Sequence, residues 1–107
     1  MTDTEISNQK LIDNFADTKN SDNTKESYKS DLRMFAEYIK KDLLEVDIFD
    51  VTNYFKAIEN NKSNATLRRY ITSLKDFYTL YSLSEDYKKV NPTIRLNKNK
   101  YPVSNES

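Results

Sequence analysis

The sequence predicts an all-α fold, a bundle of four to five helices, and three observations carry that reading. The chain of 107 residues contains no glycine and only two prolines, whereas tight β-hairpins ordinarily need glycine at positive φ. Its large apolar residues recur at i, i+3, i+4 and i+7, the spacing of one helix face. Short clusters of Asn, Ser, Asp and Lys separate the apolar stretches, as turns between helices do. The length suits one domain. Thirteen Tyr and Phe rings supply enough apolar bulk to exclude disorder throughout.

The elements follow in order. Residues 1–5 read as frayed. A first helix runs over about 5–16, with Leu11, Ile12 and Phe15 on one face, and a polar loop follows at 18–22. A second helix starts with Asn23 as N-cap and Glu26 three positions on, the pairing of a capping box. Tyr28, Leu32, Phe35 and Ile39 form its apolar stripe, and it ends near Lys41. A third helix begins near Asp47, with Asp50 in the same capping relation, and buries Val51, Tyr54, Phe55 and Ile58. Asn60, Asn61 and Lys62 end it. The fourth begins at Ser63 or Asn64. Leu67, Tyr70, Ile71, Leu74, Phe77, Tyr78 and Tyr81 fall within an arc of roughly 120° on it. Ser84, Glu85 and Asp86 have the composition to cap one more turn, and Asn91-Pro92 is a stop, because a residue before proline avoids helical angles. Residues 1–96 are expected to be the folded domain and 97–107 a linker or tail. The expected core centres on Leu32, Phe35, Ile39, Phe55, Ile58, Leu67, Leu74 and Phe77.

Composition excludes several functions. With no cysteine there is no disulfide and no thiolate metal site. Histidine, the commonest general base and metal ligand, is also absent. No metal site, cofactor or catalytic constellation is expected. No apolar run approaches a membrane span and no signal-peptide pattern opens the chain, so a cytoplasmic location is expected. Formal net charge is zero, but its distribution is uneven. Residues 1–61 hold 8 basic and 13 acidic side chains, whereas residues 62–100 hold 9 basic and 3 acidic. Such asymmetry hints at one half that faces a polyanion.

Two polar stripes lie beside the apolar ones. On the fourth helix Arg68, Thr72, Lys75 and Thr79 recur at i, i+4, i+7 and i+11, with Arg69 beside them. On the second, Lys29, Arg33 and Lys40 form a like stripe. Ser63, Asn64 and Thr66 open the fourth helix; Thr24 and Lys25 open the second. Long cations, hydroxyls and free backbone N–H groups at helix starts suit phosphate oxygens, and two such starts together suit the grip of one DNA backbone. Charged stripes on helices are more often only solvated faces, and Ser, Asn or Thr at a helix start more often only a cap. The tyrosines stand at core spacing, where packing with a hydrogen-bonded hydroxyl is the ordinary role.

The pattern also resembles a family. Thr24, Tyr28, Asp31-Leu32, Phe35 and Tyr38 are similar to the "T…Y…DL…F…Y" segment of the core-binding domain of tyrosine recombinases of the phage-integrase type. Residues 46–55 resemble that domain's third helix. Ser63, Thr66, Arg69, Leu74 and Phe77-Tyr78 resemble its fourth, and Asn91-Pro92 the "NP" that closes it. The resemblance covers about residues 8–102. It implies a SAM-like bundle forming one half of a clamp on duplex DNA at the core recombination site, with the second and fourth helices facing the major groove. It implies that the catalytic domain of the same parent chain is a partner and carries the nucleophilic tyrosine, and that this part is not catalytic. Tyr101, in the expected linker, is not that nucleophile. The isolated domain is expected to be monomeric. The alternative, in a different class, is a helical protein–protein interaction domain, since fold does not fix function.

Overall fold

The computed structural model describes residues 1–103 and forms four α-helices. They are α1 (Asp3–Ala16), α2 (Asp22–Ile39), α3 (Ile48–Ile58) and α4 (Asn64–Ser82), with one-turn 3-10 helices at Leu43–Glu45 and Lys98–Lys100. No strand occurs among the described residues, so the chain is all-α as its missing glycine predicted. Among them, no helix is long and apolar enough to cross a membrane.

Local signals set most helix ends, with instructive exceptions. The stretch expected to fray instead starts α1. The Thr2 hydroxyl accepts from the Glu5 N–H at 3.1 Å while the Glu5 carboxylate accepts from the Thr2 N–H at 3.0 Å, so two orphan donors of the first turn are satisfied. α2 begins one residue before the expected cap. Its N-cap is Ser21, which makes no side-chain bond, and Asn23 and Glu26 lie inside the helix. At the other end Lys40 takes the left-handed conformation, φ 53°. Glycine usually fills that position, and a chain without glycine must place a side chain there at some strain. α3 opens on the expected capping box of Asp47 and Asp50, and Ser63 caps α4 through the Thr66 N–H. α4 ends at Ser82, well before Asn91-Pro92. Residues 84–87 form a turn, with the Tyr87 N–H on the Ser84 carbonyl at 3.1 Å, and no further α-helical turn follows.

α1 and α2 run antiparallel. Phe15 meets Tyr28 edge-on at 5.3 Å, while Asn8, nearer the start of α1, reaches the loop after α2. Asn8 is buried there, donating to the Lys41 carbonyl and accepting from the Leu43 N–H, both at 2.9 Å. α4 closes the bundle through Phe77, which packs against Phe15, Tyr78 and Tyr81. Of the expected core, Leu32, Phe35, Phe55, Leu67, Leu74 and Phe77 are buried. Ile39 and Ile58 are only half-buried against it, because each is the last residue of its helix. The core further recruits Ile12, Phe15, Leu43, Val46, Val51, Tyr54, Tyr70, Ile71 and Tyr78.

The tyrosines behave as packing residues whose hydroxyls are tied down. Tyr78 donates to the Leu43 carbonyl at 2.7 Å and Tyr81 to the Leu11 carbonyl at 2.9 Å. Tyr28 donates to Asp76. Tyr54 and Tyr87 depart from the pattern, their hydroxyls being buried without a partner among the described residues.

The segment after α4 is not free over its first part. Tyr101 is buried, stacks on Phe55 at 6.2 Å and donates to Glu59 at 2.9 Å. The expected tail therefore contributes to the core from residue 101, and the rest of it, residues 104–107, lies outside the described residues.

Burial, then acceptance by a neighbouring carboxylate, pushes the Tyr28 and Tyr101 phenols up to about 12, against about 10 for a free tyrosine. The fold thus holds the neutral phenol. That stability is present in full below pH 10 and is lost as pH rises from about 10 through 12. Alkaline titration should show cooperative unfolding in that window, with tyrosinate absorbance and loss of helicity rising together. Smooth ionisation with helicity intact would contradict the assignment.

Candidate nucleic-acid interface

α2 and α4 meet along a polar seam whose register fixes their relative direction. Tyr28 bonds Asp76, Asp31 accepts from Ser73 and Arg69, and the Tyr70 hydroxyl donates to the Met34 sulfur. Ascending order on α2 meets descending order on α4, so the two helices run roughly antiparallel. The start of α2, with Thr24 and Lys25, therefore lies at the opposite end of the seam from the start of α4, with Ser63, Asn64 and Thr66. The two starts do not come together to grip one phosphate backbone, which corrects the sequence-based picture of them acting jointly.

The two cationic stripes separate as well. Lys29 turns toward α1, its ammonium 3.9 Å from Asp13. Arg33 lines an open depression of about 650 Å³ between α1 and α2, together with Glu5, Gln9, Glu37 and Lys40. Arg68 and Lys75 face the opposite way. The Arg68 guanidinium donates to the Lys98 carbonyl at 2.7 Å and the Tyr101 carbonyl at 3.3 Å, and Lys75 donates to the Thr93 carbonyl at 2.9 Å. Asn64 donates to the Pro102 carbonyl at 2.8 Å. One stripe thus borders α1 and the other borders the C-terminal segment, with the seam between them. Sequence spacing places each stripe on its own helix but carries nothing about how two helices roll against each other.

Of the remaining candidates, Thr24 is exposed and Lys25 half-buried. The Ser63 hydroxyl donates to the Thr66 hydroxyl at 3.0 Å while capping its N–H. Thr72 bonds back to the Arg68 carbonyl at 3.2 Å. Arg69 crosses the seam to Asp31, with Nε at 3.2 Å and Nη2 at 2.9 Å, and that carboxylate holds the guanidinium above its usual range.

The partners decide which cations keep their field. Arg69, Lys29, Lys41, Lys89 and Lys100 each pair with a carboxylate. Arg68 and Lys75 bind neutral carbonyls, so their charge is uncompensated. Arg95 and Lys98, exposed on the segment those two hold, have no carboxylate partner among the described residues. The result is a positive flank formed by α4 and the C-terminal segment. Arg95 and Lys98 were not among the sequence candidates. The basic excess of residues 62–100 pointed toward them, but only the docking of their segment along α4, through the Lys98 carbonyl on Arg68 and the Thr93 carbonyl on Lys75, brings that segment to this flank.

Fold and surface together define a class: a small helical module offering a polar seam and a cationic flank. Residues 11–81 match the family model "Phage integrase, N-terminal SAM-like domain", more than half of the chain. The chain belongs to the tyrosine recombinase, or phage integrase, family and is its N-terminal SAM-like domain. It is similar to a tyrosine recombinase of Thermosipho africanus (strain TCF52B), at 31% identity, in a match covering 70% of this chain and 30% of that protein. No solved structure matches it. The chain thus spans less than a third of that relative.

Proposed function

We propose that this domain binds duplex DNA at a core recombination site, with α4 toward the major groove, as one half of a clamp completed by the catalytic domain of the same parent chain. In this reading the module positions DNA in the cytoplasm and leaves strand cleavage to that other domain, toward which residues 97–107 lead. The observation that carries it is the uncompensated charge of Arg68 and Lys75 on α4, enlarged by Arg95 and Lys98, in a chain whose family is defined by DNA recombinases. Arg68, Lys75 and the hydroxyl of Thr72 meet phosphates. Thr24 and Lys25 at one end of the seam, and Ser63, Asn64 and Thr66 at the other, stand roughly 20 Å apart by helical rise. That span brackets a major groove about 12 Å wide, so each start meets a different backbone. Lys29 and Arg33 contribute only if the duplex extends past the seam to the α1 side.

The test is DNA binding measured by fluorescence anisotropy over a series of salt concentrations. Zero net charge and half a clamp predict a dissociation constant in the micromolar range or weaker at physiological salt. The affinity should fall linearly on logarithmic axes as salt rises, with a slope magnitude of about 0.9 per phosphate contacted. Binding without salt dependence, or none even at low salt, would overturn the proposal. A second reading, docking of a protein partner, is favoured by one observation: Phe49 and Val90, 76% and 66% exposed, share a shallow hollow with Ile48 and Lys89. Salt-insensitive binding of a protein through that hollow, with no affinity for DNA, would favour it.

A further inference from the structure

We infer that Arg69 is a base-reading residue, held with its outer edge toward a guanine in the major groove by the buried carboxylate of Asp31. The inference rests on the DNA-binding reading above and goes beyond it, because it separates one cation that reads sequence from those that only meet phosphate.

The geometry is that of a braced arginine. The Asp31 side chain is 2% exposed and that of Arg69 56%, so one end of the pair is anchored in the bundle while the other reaches solvent. The carboxylate is itself fixed: Oδ1 accepts from Arg69 Nη2, and Oδ2 accepts from Arg69 Nε and from Ser73 Oγ at 2.7 Å. Ser73 lies one turn along α4 from Arg69, so the carboxylate is gripped twice by the same helix and has little freedom to swing. A guanidinium carries five N–H donors in a rigid plane. Asp31 takes the side formed by Nε and Nη2. The outer edge, one N–H on each terminal nitrogen, has no acceptor among the described residues.

Charge then decides what that edge recognises. The pair carries no net charge, so little long-range attraction to a phosphate remains, in contrast with Arg68 and Lys75. What remains is two parallel donors in a fixed plane. Their match in duplex DNA is the O6 and N7 acceptor pair of guanine, which only a G·C pair presents in the major groove. Because the bond to Asp31 orders the long side chain before DNA arrives, less conformational freedom is lost on contact. Ala65 and Thr72, at i−4 and i+3 from Arg69, flank it with short side chains and leave room for a base edge to approach.

The experiment uses the 107-residue chain with a duplex library randomised over twelve base pairs, the bound fraction being separated and sequenced. The parent should enrich guanine at one position by about 10-fold to 100-fold over the other bases. Arg69→Lys keeps the charge but loses the planar edge; it should erase the preference at that position while leaving the salt slope on a fixed duplex unchanged. Ser73→Ala, which loosens the carboxylate without touching Arg69, should weaken the same preference in part, and it serves as the readout if Arg69→Lys does not fold. Unchanged guanine enrichment in both variants would overturn the inference and leave Arg69 a structural residue. Equal loss of affinity across all sequences, with the slope magnitude reduced by about one, would also overturn it by making Arg69 a phosphate contact. Either result leaves the DNA-binding reading standing, whereas failure of the parent to bind any duplex removes both.

Discussion

Phe77→Ala should cost the domain about 3–5 kcal/mol, a large share of the 5–15 kcal/mol typical of small domains. Phe77 has no exposed surface. Its ring lies within 5.5 Å of Phe15, 4.9 Å of Tyr78 and 4.8 Å of Tyr81, so it joins α1 to α4 at the centre of the bundle. Truncation removes the transfer free energy of a buried ring and leaves a cavity whose rigid aromatic walls cannot easily collapse. Phe35→Ala should fall in the same range, since Phe35 is equally buried and packs edge-on against Tyr54 at 5.0 Å. Leu83, 78% exposed, is the control, with an expected change of about 0.5 kcal/mol or less on truncation to Ala. Urea unfolding followed by circular dichroism measures all three. A Phe77→Ala midpoint equal to that of the parent would mean that the α1–α4 packing is wrong.

Reversing Arg68 and Lys75 together to Glu should abolish measurable DNA binding, while reversing Lys29 and Arg33 should weaken it far less. The difference follows from placement, since the first pair borders the C-terminal segment and the second borders α1. Arg68 and Lys75 also hold that segment, through the carbonyls of Lys98, Tyr101 and Thr93. Glu cannot donate to those carbonyls, so a stability loss of roughly 1–3 kcal/mol should accompany the change. Position beside the apolar stripe would suggest that the melting temperature barely moves; the bonds to the segment say otherwise. Arg95→Glu with Lys98→Glu separates the two effects, because it reverses the charge of the same flank without removing a hydrogen bond that a side chain donates. It too should weaken DNA binding, with the melting temperature nearly unchanged. If the Lys29 and Arg33 reversal were the more damaging, the duplex would lie on the α1 side, and the proposed orientation would be wrong.

What the sequence by itself determined is the set of properties that depend on neighbours along the chain. Helicity followed from missing glycine and from apolar spacing, the start of α3 from two side chains three positions apart that satisfy each other's backbone donors, and the start of α4 from a serine that caps the N–H three positions on. The apolar arc of α4 was legible because a helix repeats every 3.6 residues whatever it packs against. The start of α1 was legible too, in Thr2 and Glu5, but two exposed residues at a chain end carry no apolar pattern to draw attention to them. The family was readable because its pattern is a string of such local features in order.

Tertiary structure decided everything that needs two helices at once. The antiparallel register of α2 against α4 put their starts at opposite ends. It also paired Arg69 with Asp31, whose position beside Leu32 in the sequence gives no sign of a partner 38 residues away. The docking of residues 91–102 along α4 turned Arg68, Lys75 and Asn64 from free surface groups into donors to backbone carbonyls, and Tyr101 from a tail residue into a core one. A side chain's spacing specifies its angle about its own helix axis, but the roll of one helix against another is set by how buried side chains interlock across the interface. Which cations keep an uncompensated charge therefore depends on packing, and so does the face this domain can turn toward DNA.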